Sequence, residues 1–233
     1  ELRVVPAEAD LTVSTDRMLE AIDETTAAVA FSHVLFRTSY IMDADAIARR
    51  ARAVGATVIL DTYQSAGILP VDVTALGVDF AVGGCLKWLC GGPGNGFLYT
   101  RPDRLRLAKP SFTGWLSHEH PFDFDMGEVP MRGDAMHMMN GTPSIPAYYA
   151  ALAGLDIINA AGVDRIREAS KTMNARLPAR VDEYGLPPAA ARRPSQRAAT
   201  AAAHVPGAAV AYPTPHPRPI HRAVRPPRAP RHR

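Results

Sequence analysis

The amino-acid sequence predicts an α/β fold with a mainly parallel sheet, because short apolar runs alternate with helical segments over the first 186 residues. Each run has the length and composition of a buried strand, and the runs cover residues 27–35, 57–60, 78–82 and 96–100. Polar or glycine-rich segments follow several of them. We therefore expect the functional residues at the carboxyl ends of the strands, where parallel sheets usually carry them.

The predicted helices are recognised by their ends and by the spacing of their apolar residues. The helix over 43–54 has Asp43 as its N-cap and Gly55 as its stop signal. Two later helices, over 143–159 and 163–184, carry apolar residues at helical spacing and are separated by a glycine. The first helix connects two strands, and the other two follow the sheet.

The composition divides the chain of 233 residues into two unlike parts. From position 186 onward there are nine Arg, four His and eleven Pro, but no Asp, Glu or Lys. The preceding part keeps 17 basic against 23 acidic side chains, a formal charge of −6, so the net charge of +3 comes from the tail. The tail over 187–233 has no Leu, Phe or Trp and cannot build a core.

Three interpretations of the tail over 187–233 stay open. A nucleic-acid-binding arm is disfavoured, because the tail has one Tyr, no series of stacking aromatic residues and no Lys. A natural disordered extension is the simplest alternative. We favour a third interpretation, in which Arg, Pro and Ala together reflect a GC-rich coding sequence read out of frame. No nucleic-acid partner is therefore expected.

The remaining counts disfavour several other classes of protein. No apolar run is long enough to span a bilayer, so no membrane partner is expected. Two cysteines are too few for a disulfide scaffold or a structural zinc site. Cys85 and Cys90 are expected to be packed thiols in a reducing, cytoplasmic setting, and no metal is expected.

Asp61 and Lys87 are the first candidates for chemistry. Asp61 directly follows the strand over 57–60, where a carboxylate faces a ligand crevice and needs a cationic partner; the alternative is that it only caps the next turn. Lys87 lies in GGCLKWLCGGPGNG, among small and apolar residues that favour a neutral, nucleophilic amine. This glycine-rich stretch lacks the Gly-Lys-Ser/Thr ending of a P-loop, so a nucleoside triphosphate site is disfavoured.

Four stretches of sequence occur in a familiar order: SHVLFRTSYIMD at 32–43, VILDTYQSAGILPVDVTALGVDFAVGGCLKWLCGGPGNGFLYTRPD at 58–103, GW at 114–115 and NGTPSIP at 140–146. Together they resemble the pyridoxal-phosphate enzymes of aminotransferase class V, and most of all the kynureninases. The resemblance covers about residues 27–183. It implies a pyridoxal-phosphate-dependent transferase fold of type I, with a mainly parallel sheet followed by helices and a disordered tail.

The resemblance also implies a domain organisation. Residues 1–143 would be part of the cofactor-binding large domain, and residues 144–186 a helical connection toward a small domain. Residues 187–233 would form the Arg/Pro/Ala-rich tail, disordered or out of frame. The family's N-terminal segment, which holds the phosphate and stacks an aromatic residue on the cofactor, is missing from the pattern, as is the small domain.

Five residues receive roles from the resemblance. Lys87 would form a Schiff base with the cofactor aldehyde and move protons at the substrate carbons, and Asp61 would pair with the protonated pyridine nitrogen. Gln64 would donate to the phenolic oxygen. Trp115 and Thr142 would reach the phosphate from the neighbouring subunit, which implies a homodimer; the alternatives for these two are a packing aromatic residue and a helix cap.

The implied function is a pyridoxal-phosphate-dependent enzyme that acts on a small-molecule amino acid, with kynureninase-like hydrolysis of a Cβ–Cγ bond favoured. Class V transamination and a desulfurase or lyase reaction are alternatives, because kynureninases carry His at the position of Gln64 and Tyr at that of Leu86. Ser32, His33 and Arg37 are further candidates to line the site. An alternative of another class is an inactive truncated fragment or a basic-tailed binding protein.

Overall fold

The structure is a computed structural model that describes residues 1–105, 107–124, 126–127, 130–185 and 193–200. Strands and helices alternate through the first hundred residues, and helices follow. In chain order the elements are α1 (Thr15–Glu20), β1 (Ala28–Ser32), α2 (Ala44–Ala53), β2 (Thr57–Asp61), α3 (Val73–Leu76), β3 (Phe80–Gly84), β4 (Gly96–Thr100), α4 (Pro102–Leu105), α5 (Ile145–Ala161), α6 (Val163–Asn174) and α7 (Arg176–Glu183).

The four strands form one sheet in the order β1-β2-β3-β4. β1, β2 and β3 are parallel, whereas β4 runs antiparallel to β3. This arrangement confirms the predicted mainly parallel sheet. Ser32 of β1 lies beside Asp61 of β2, which lies beside Val82 of β3, so the carboxyl ends of the three parallel strands meet at one edge.

The main hydrophobic core joins α1 and α2 to the sheet. Asp43 caps α2 by accepting from the Ala46 N–H at 2.9 Å, and Gly55, with a φ of +79°, lies just beyond its C-cap, as predicted. Small residues let this helix pack closely on the strands. The fully buried members of this core include Ile47, Ala48, Ala51, Val58, Leu60, Val78 and Ala81.

A buried carboxylate fixes the start of β3. Asp79 is only 1% exposed, and its Oδ2 accepts from the Val58 N–H at 2.7 Å. Arg104 donates to its Oδ1 at 2.6 Å, and Arg101 lies 3.0 Å from the same oxygen. These partners offset the cost of burying the charge and tie β2 to the segment that follows β4.

The structure differs from the predicted elements in several places: the strand predicted over 27–35 ends at Ser32, the helix predicted over 143–159 covers Ile145–Ala161, and α1, α3 and α4 were not predicted. β3 lies two residues later than predicted, because Asp79 uses its side chain to bond β2 before the strand begins. The helix predicted over 163–184 is divided into α6 and α7 at Ala175.

Part of the predicted tail, residues 193–200, lies against the body of the protein. Ala198 is 1% exposed, its N–H donates to the Ser39 carbonyl at 2.8 Å, and it packs in an apolar cluster with Val34 and Leu69. These contacts use a small side chain and backbone groups, which is why composition did not predict them. Positions 187–192 and 201–233 of the predicted tail lie outside the described residues.

None of the helices in the described part of the chain has the length and apolar character needed to cross a membrane.

Candidate active site

Asp61 is the last residue of β2, and two neighbouring groups hold its carboxylate. Ser32, beside it on β1, donates from Oγ to Oδ2 at 2.8 Å, and the Tyr63 N–H donates to Oδ1 at 2.8 Å. Asp61 therefore does cap the turn after β2. A carboxylate offers about four acceptor positions, so these two bonds leave it able to pair with a cationic ligand as well.

Lys87 lies in the loop between β3 and β4, at the same edge of the sheet. The side chain is half-buried, so the amine is accessible rather than enclosed. Its Nζ lies 4.7 Å from the centroid of the Phe36 ring and 4.9 Å from that of Tyr63. Tyr63 thus contacts both candidates, Asp61 through its backbone and Lys87 through its ring.

Close backbone contacts fix the loop that carries Lys87. At Gly67, with a φ of +92°, a Cβ would lie 2.7 Å from the Trp88 carbonyl carbon, so only glycine lets the turn after β2 approach this loop. At Gly154 of α5, a Cβ would lie 2.7 Å from the Leu89 carbonyl oxygen. The turn and the helix therefore hold the loop from two directions.

A side-chain amide adds a further tie between the loop and α5. Asn95 donates from Nδ2 to the Gly91 carbonyl at 3.0 Å and to the Ala147 carbonyl at 2.9 Å. The glycine-rich segment GGPGNG is thus attached to α5. Its polar side chain, Asn95, has a structural role in this attachment.

The other predicted site residues are placed as follows. Gln64 is half-buried in the turn after Asp61. Trp115 is 58% exposed and makes an edge-to-face contact with Phe124, with ring centroids 5.5 Å apart. Thr142 is exposed, and the N-cap position of α5 belongs to Ser144, so Thr142 is not the helix cap. The cofactor roles of Gln64, Trp115 and Thr142 stay predictions.

Trp115 and Thr142 come from neighbouring segments. Gly114 packs so closely on the Asn140 carbonyl that no side chain would fit there. The Ser117 Oγ accepts from the Gly114 N–H at 3.1 Å and completes the short 3₁₀ turn that presents Trp115. The two predicted phosphate-binding segments are therefore presented together on one exposed surface.

Two of the three further candidates, Ser32 and His33, contact Asp61. For the third, Arg37, the described residues show no hydrogen bond or ion pair with Asp61. The His33 N–H donates to the Asp61 carbonyl at 2.9 Å, and its ring is buried. Burial lowers the pKa of His33 and favours the neutral imidazole. Arg37 is exposed.

The two cysteines lie in different environments on either side of Lys87. Cys85 is buried, and burial raises the pKa of its thiol, whereas Cys90 is exposed, with a φ of +54°. The expectation that both thiols are packed is therefore correct for Cys85 alone. In the described residues, no group of three or more His, Cys, Asp or Glu side chains is arranged to hold a metal ion.

Sequence reasoning missed two aromatic residues, Phe36 and Tyr63, whose rings contact Lys87. Tyr63 stands between Asp61 and Gln64, so its place in the turn after the strand was a usable signal. Phe36 belongs to the loop after β1, and no pattern in the sequence links it to a lysine fifty-one positions later.

Comparisons with known proteins identify the family of the chain. The sequence model of the family described as Aminotransferase class-V matches residues 1–211. The uncharacterized aminotransferase YcbU of Bacillus subtilis is 37% identical over 171 residues, which are 73% of this chain and 45% of that protein. A kynureninase of Pseudomonas fluorescens is 32% identical over 158 residues, 67% of this chain and 38% of that protein.

Among solved structures, the fold is similar to that of the cysteine desulfurase of Thermococcus onnurineus, with a TM-score of 0.80 and 24% identity over 89% of this chain and 51% of that one. This likeness concerns the fold alone. The chain spans less than half the length of the curated relatives named above. It belongs to the aminotransferase class-V family, a family of pyridoxal-phosphate-dependent enzymes with the type I fold.

Proposed function

We propose that this chain carries the cofactor-binding core of a pyridoxal-phosphate-dependent enzyme that acts on an amino acid. One observation carries the proposal: the half-buried amine of Lys87 and the hydrogen-bonded carboxylate of Asp61 lie at the same edge of the sheet. The residues fit the cofactor, because an accessible amine suits its aldehyde and a carboxylate suits its protonated ring nitrogen. Family membership supports the same conclusion.

Each residue then has a defined task. Lys87 holds the cofactor covalently through Nζ and moves a proton at the substrate carbon. Asp61 pairs with the ring nitrogen, while Ser32 and the Tyr63 N–H keep its carboxylate oriented. Gln64 donates to the phenolic oxygen. When bound, pyridoxal phosphate withdraws electrons from the substrate's α-carbon.

Borohydride reduction after incubation with pyridoxal phosphate tests the proposal. The sequence contains three lysines, Lys87, Lys109 and Lys171, so peptide mapping identifies the modified one directly. We expect the adduct on Lys87, its loss in Lys87→Ala and its retention in the exposed control Lys109→Ala. An adduct spread over Lys109 and Lys171, or a flat visible spectrum with retained fold, would instead support the non-catalytic alternative.

For the reaction we propose kynureninase-like hydrolysis. Water would cleave the Cβ–Cγ bond, so that the acyl carbon gains hydroxide and leaves as a carboxylic acid, and the β-carbon gains a proton and leaves as alanine. The ordered motifs and the kynureninase relatives at 32% identity support this branch. A full-length version supplied with kynurenine is expected to release anthranilate and alanine in equal amounts.

Amino transfer is the second candidate, and two cofactor-side residues favour it. Gln64 and Leu86 stand where kynureninases carry His and Tyr, and the relative at 37% identity is named an aminotransferase. Transfer of the substrate's amino group to an added 2-oxo acid, without anthranilate release, would establish this branch. Release of sulfur from cysteine would indicate the desulfurase branch.

We further propose that the enzyme is a homodimer in the cytoplasm. The exposed positions of Trp115 and Thr142 suit a role in a neighbouring subunit's site, and the two cysteines are free thiols, as is usual in a reducing compartment. Mixing Lys87→Ala with Trp115→Ala chains tests the shared site. In a mixed dimer, one site would take Lys87 from the second chain and Trp115 from the first, and would therefore be complete. Restored trapping in the mixture is the expected result.

A further inference from the structure

Phe36 contacts Lys87 from the hairpin over residues 33–42, which follows β1. Its ring centroid lies 4.7 Å from Lys87 Nζ, yet the residue is 76% exposed. Because most of the ring faces solvent, side-chain packing contributes little to its position. The place of the ring beside the amine therefore depends on the backbone of the hairpin that carries it.

Backbone hydrogen bonds close this hairpin. The Leu35 N–H donates to the Tyr40 carbonyl at 2.9 Å, and the Ser39 N–H donates to the Leu35 carbonyl at 2.8 Å. Val34 and Ile41 form an antiparallel bridge. Ser39 is buried and has a φ of +59°, in the left-handed region that residues other than glycine seldom adopt. Such a conformation persists only where surrounding contacts hold it.

The segment over residues 193–200 supplies contacts of this kind. The Ala198 N–H donates to the Ser39 carbonyl at 2.8 Å, and the Thr200 N–H donates to Ser39 Oγ at 3.1 Å. A residue in a strained conformation at the end of the turn is thus held by two bonds from a part of the chain about 160 positions away. The segment therefore fixes the hairpin at the turn that carries Phe36.

α6 anchors the same segment. The buried Arg167 guanidinium donates to the Arg197 carbonyl at 2.9 Å and to the Pro194 carbonyl at 3.1 Å. A continuous series of contacts therefore leads from α6 through residues 193–200 to Ser39, and from there to the hairpin and the ring beside Lys87.

We propose that residues 193–200 are a positioning element of the candidate active site, which keeps the Phe36 ring over one side of the Lys87 amine. This inference rests on the proposed function, which gives Lys87 its chemical role, although the contacts that carry it involve no cofactor. A molecule that approaches Lys87 from the side of Phe36 has to displace the ring. Release of the segment frees the hairpin and uncovers the amine.

The rate of acetylation of Lys87 by acetic anhydride, divided by that of the exposed Lys109, tests the proposal without cofactor. Mass spectrometry of peptides gives both rates. We expect Phe36→Ala to raise this ratio about two- to fivefold, the change that corresponds to loss of a cation–π contact at an exposed site. Arg167→Met is expected to raise the ratio to a similar extent, and the exposed control Arg165→Met to leave it unchanged. The wild-type ratio in either Phe36→Ala or Arg167→Met would overturn the proposal.

A double variant distinguishes positioning from a general loss of structure. Adding Arg167→Met to Phe36→Ala should leave the ratio at the value of Phe36→Ala, because the ring that the segment positions is already absent. A further increase would contradict the proposal. Thr200→Pro removes only the bond to Ser39 Oγ, at an exposed position, and is expected to raise the ratio in the same direction if Arg167→Met does not fold.

The outcomes for the inference and for the proposed function can be told apart. If acetylation follows the expected pattern but borohydride never traps pyridoxal phosphate on Lys87, the proposed function fails and the positioning stands. If trapping occurs on Lys87 while the acetylation ratio is the same in all variants, the inference fails and the proposed function stands.

Discussion

Two residues at the edge of the sheet, Asp61 and His33, can each be tested by a single substitution. Asp61→Asn keeps an oxygen that can accept from the Tyr63 N–H and an amide that can meet the Ser32 hydroxyl. The turn is therefore expected to survive, while the negative charge that we propose to pair with the cofactor nitrogen is lost.

We expect Asp61→Asn to retain borohydride trapping at Lys87 and to lower turnover of the full-length enzyme roughly 100- to 1000-fold, as when a preorganised electrostatic partner is removed. Steady-state kinetics beside peptide mapping measure both quantities. Near-normal turnover in this variant would contradict the proposed pairing of Asp61 with the ring nitrogen. Ser32→Ala, which keeps the charge but loses one hydrogen bond, is the comparison and is expected to lose less.

His33 makes stability depend on pH. Its pKa is lowered from the ordinary 6.5 by burial, so the unfolded chain takes up a proton at a higher pH than the folded one. The contribution of neutral His33 to the free energy of unfolding is fully present above about pH 6.5. It is lost as the pH falls from there through the lowered pKa.

Denaturant unfolding at several pH values checks this expectation. Between pH 7.5 and 5.5 the free energy of unfolding is expected to fall in the wild type and to fall less in His33→Gln. The exposed residue His120 supplies the control, since His120→Gln should keep the wild-type slope. Parallel slopes for wild type and His33→Gln would rule out His33 as the source.

Among the elements, α5 and the loop between β3 and β4 form the pair on which the position of Lys87 depends. Gly154 of α5 lies against the carbonyl groups of Leu89 and Cys90, with no room for a side chain. We expect Gly154→Val to lower the free energy of unfolding by about 1–3 kcal/mol, the usual cost of overpacking, and to reduce trapping at Lys87. Ala153→Val, at an exposed position on the same helix, is the control. Thermal unfolding and peptide mapping distinguish them, and equal behaviour of the two variants would contradict the coupling.

The elements also show how far the sequence could predict the site. Asp61 and Lys87 were placed correctly at one edge because parallel strands end there, and both follow apolar runs. The direction of β4 was not predictable, since GFLYT reads the same in a parallel or an antiparallel strand. The bond from Ser32 to Asp61 required the register of β1 on β2, and the contacts of Phe36 and Tyr63 with Lys87 required the paths of two loops.

At the scale of the whole molecule, residues 193–200 are joined to the body through a buried arginine. Arg167 of α6 donates to the carbonyls of Arg197 at 2.9 Å, Pro194 at 3.1 Å and Ala198 at 3.2 Å. Three bonds from one guanidinium to backbone groups hold the segment without large apolar side chains. These hydrogen bonds therefore add to the apolar contacts of Ala198 in holding the segment.

We expect Arg167→Met to expose the bond after Arg197, which is 2% exposed in the folded protein, to trypsin. Mass spectrometry of a limited digest is expected to show faster cleavage there than in the wild type. Arg165→Met removes an exposed arginine from the same helix and is expected to leave the rate unchanged. Cleavage at the same rate in all three proteins would show that Arg167 does not hold the segment.

The antiparallel pairing of β3 with β4 has a consequence for how the chain folds. Only residues 85–95 separate the two strands, whereas a helix and its connections separate β1 from β2. The entropy of loop closure grows with length, so the β3–β4 pair has the lowest contact order in the sheet and is the least costly to form early. Lengthening that loop adds only about 0.6 kcal/mol per doubling, yet it displaces Lys87. Folding kinetics would tolerate such insertions in this loop, whereas the role proposed for Lys87 would not.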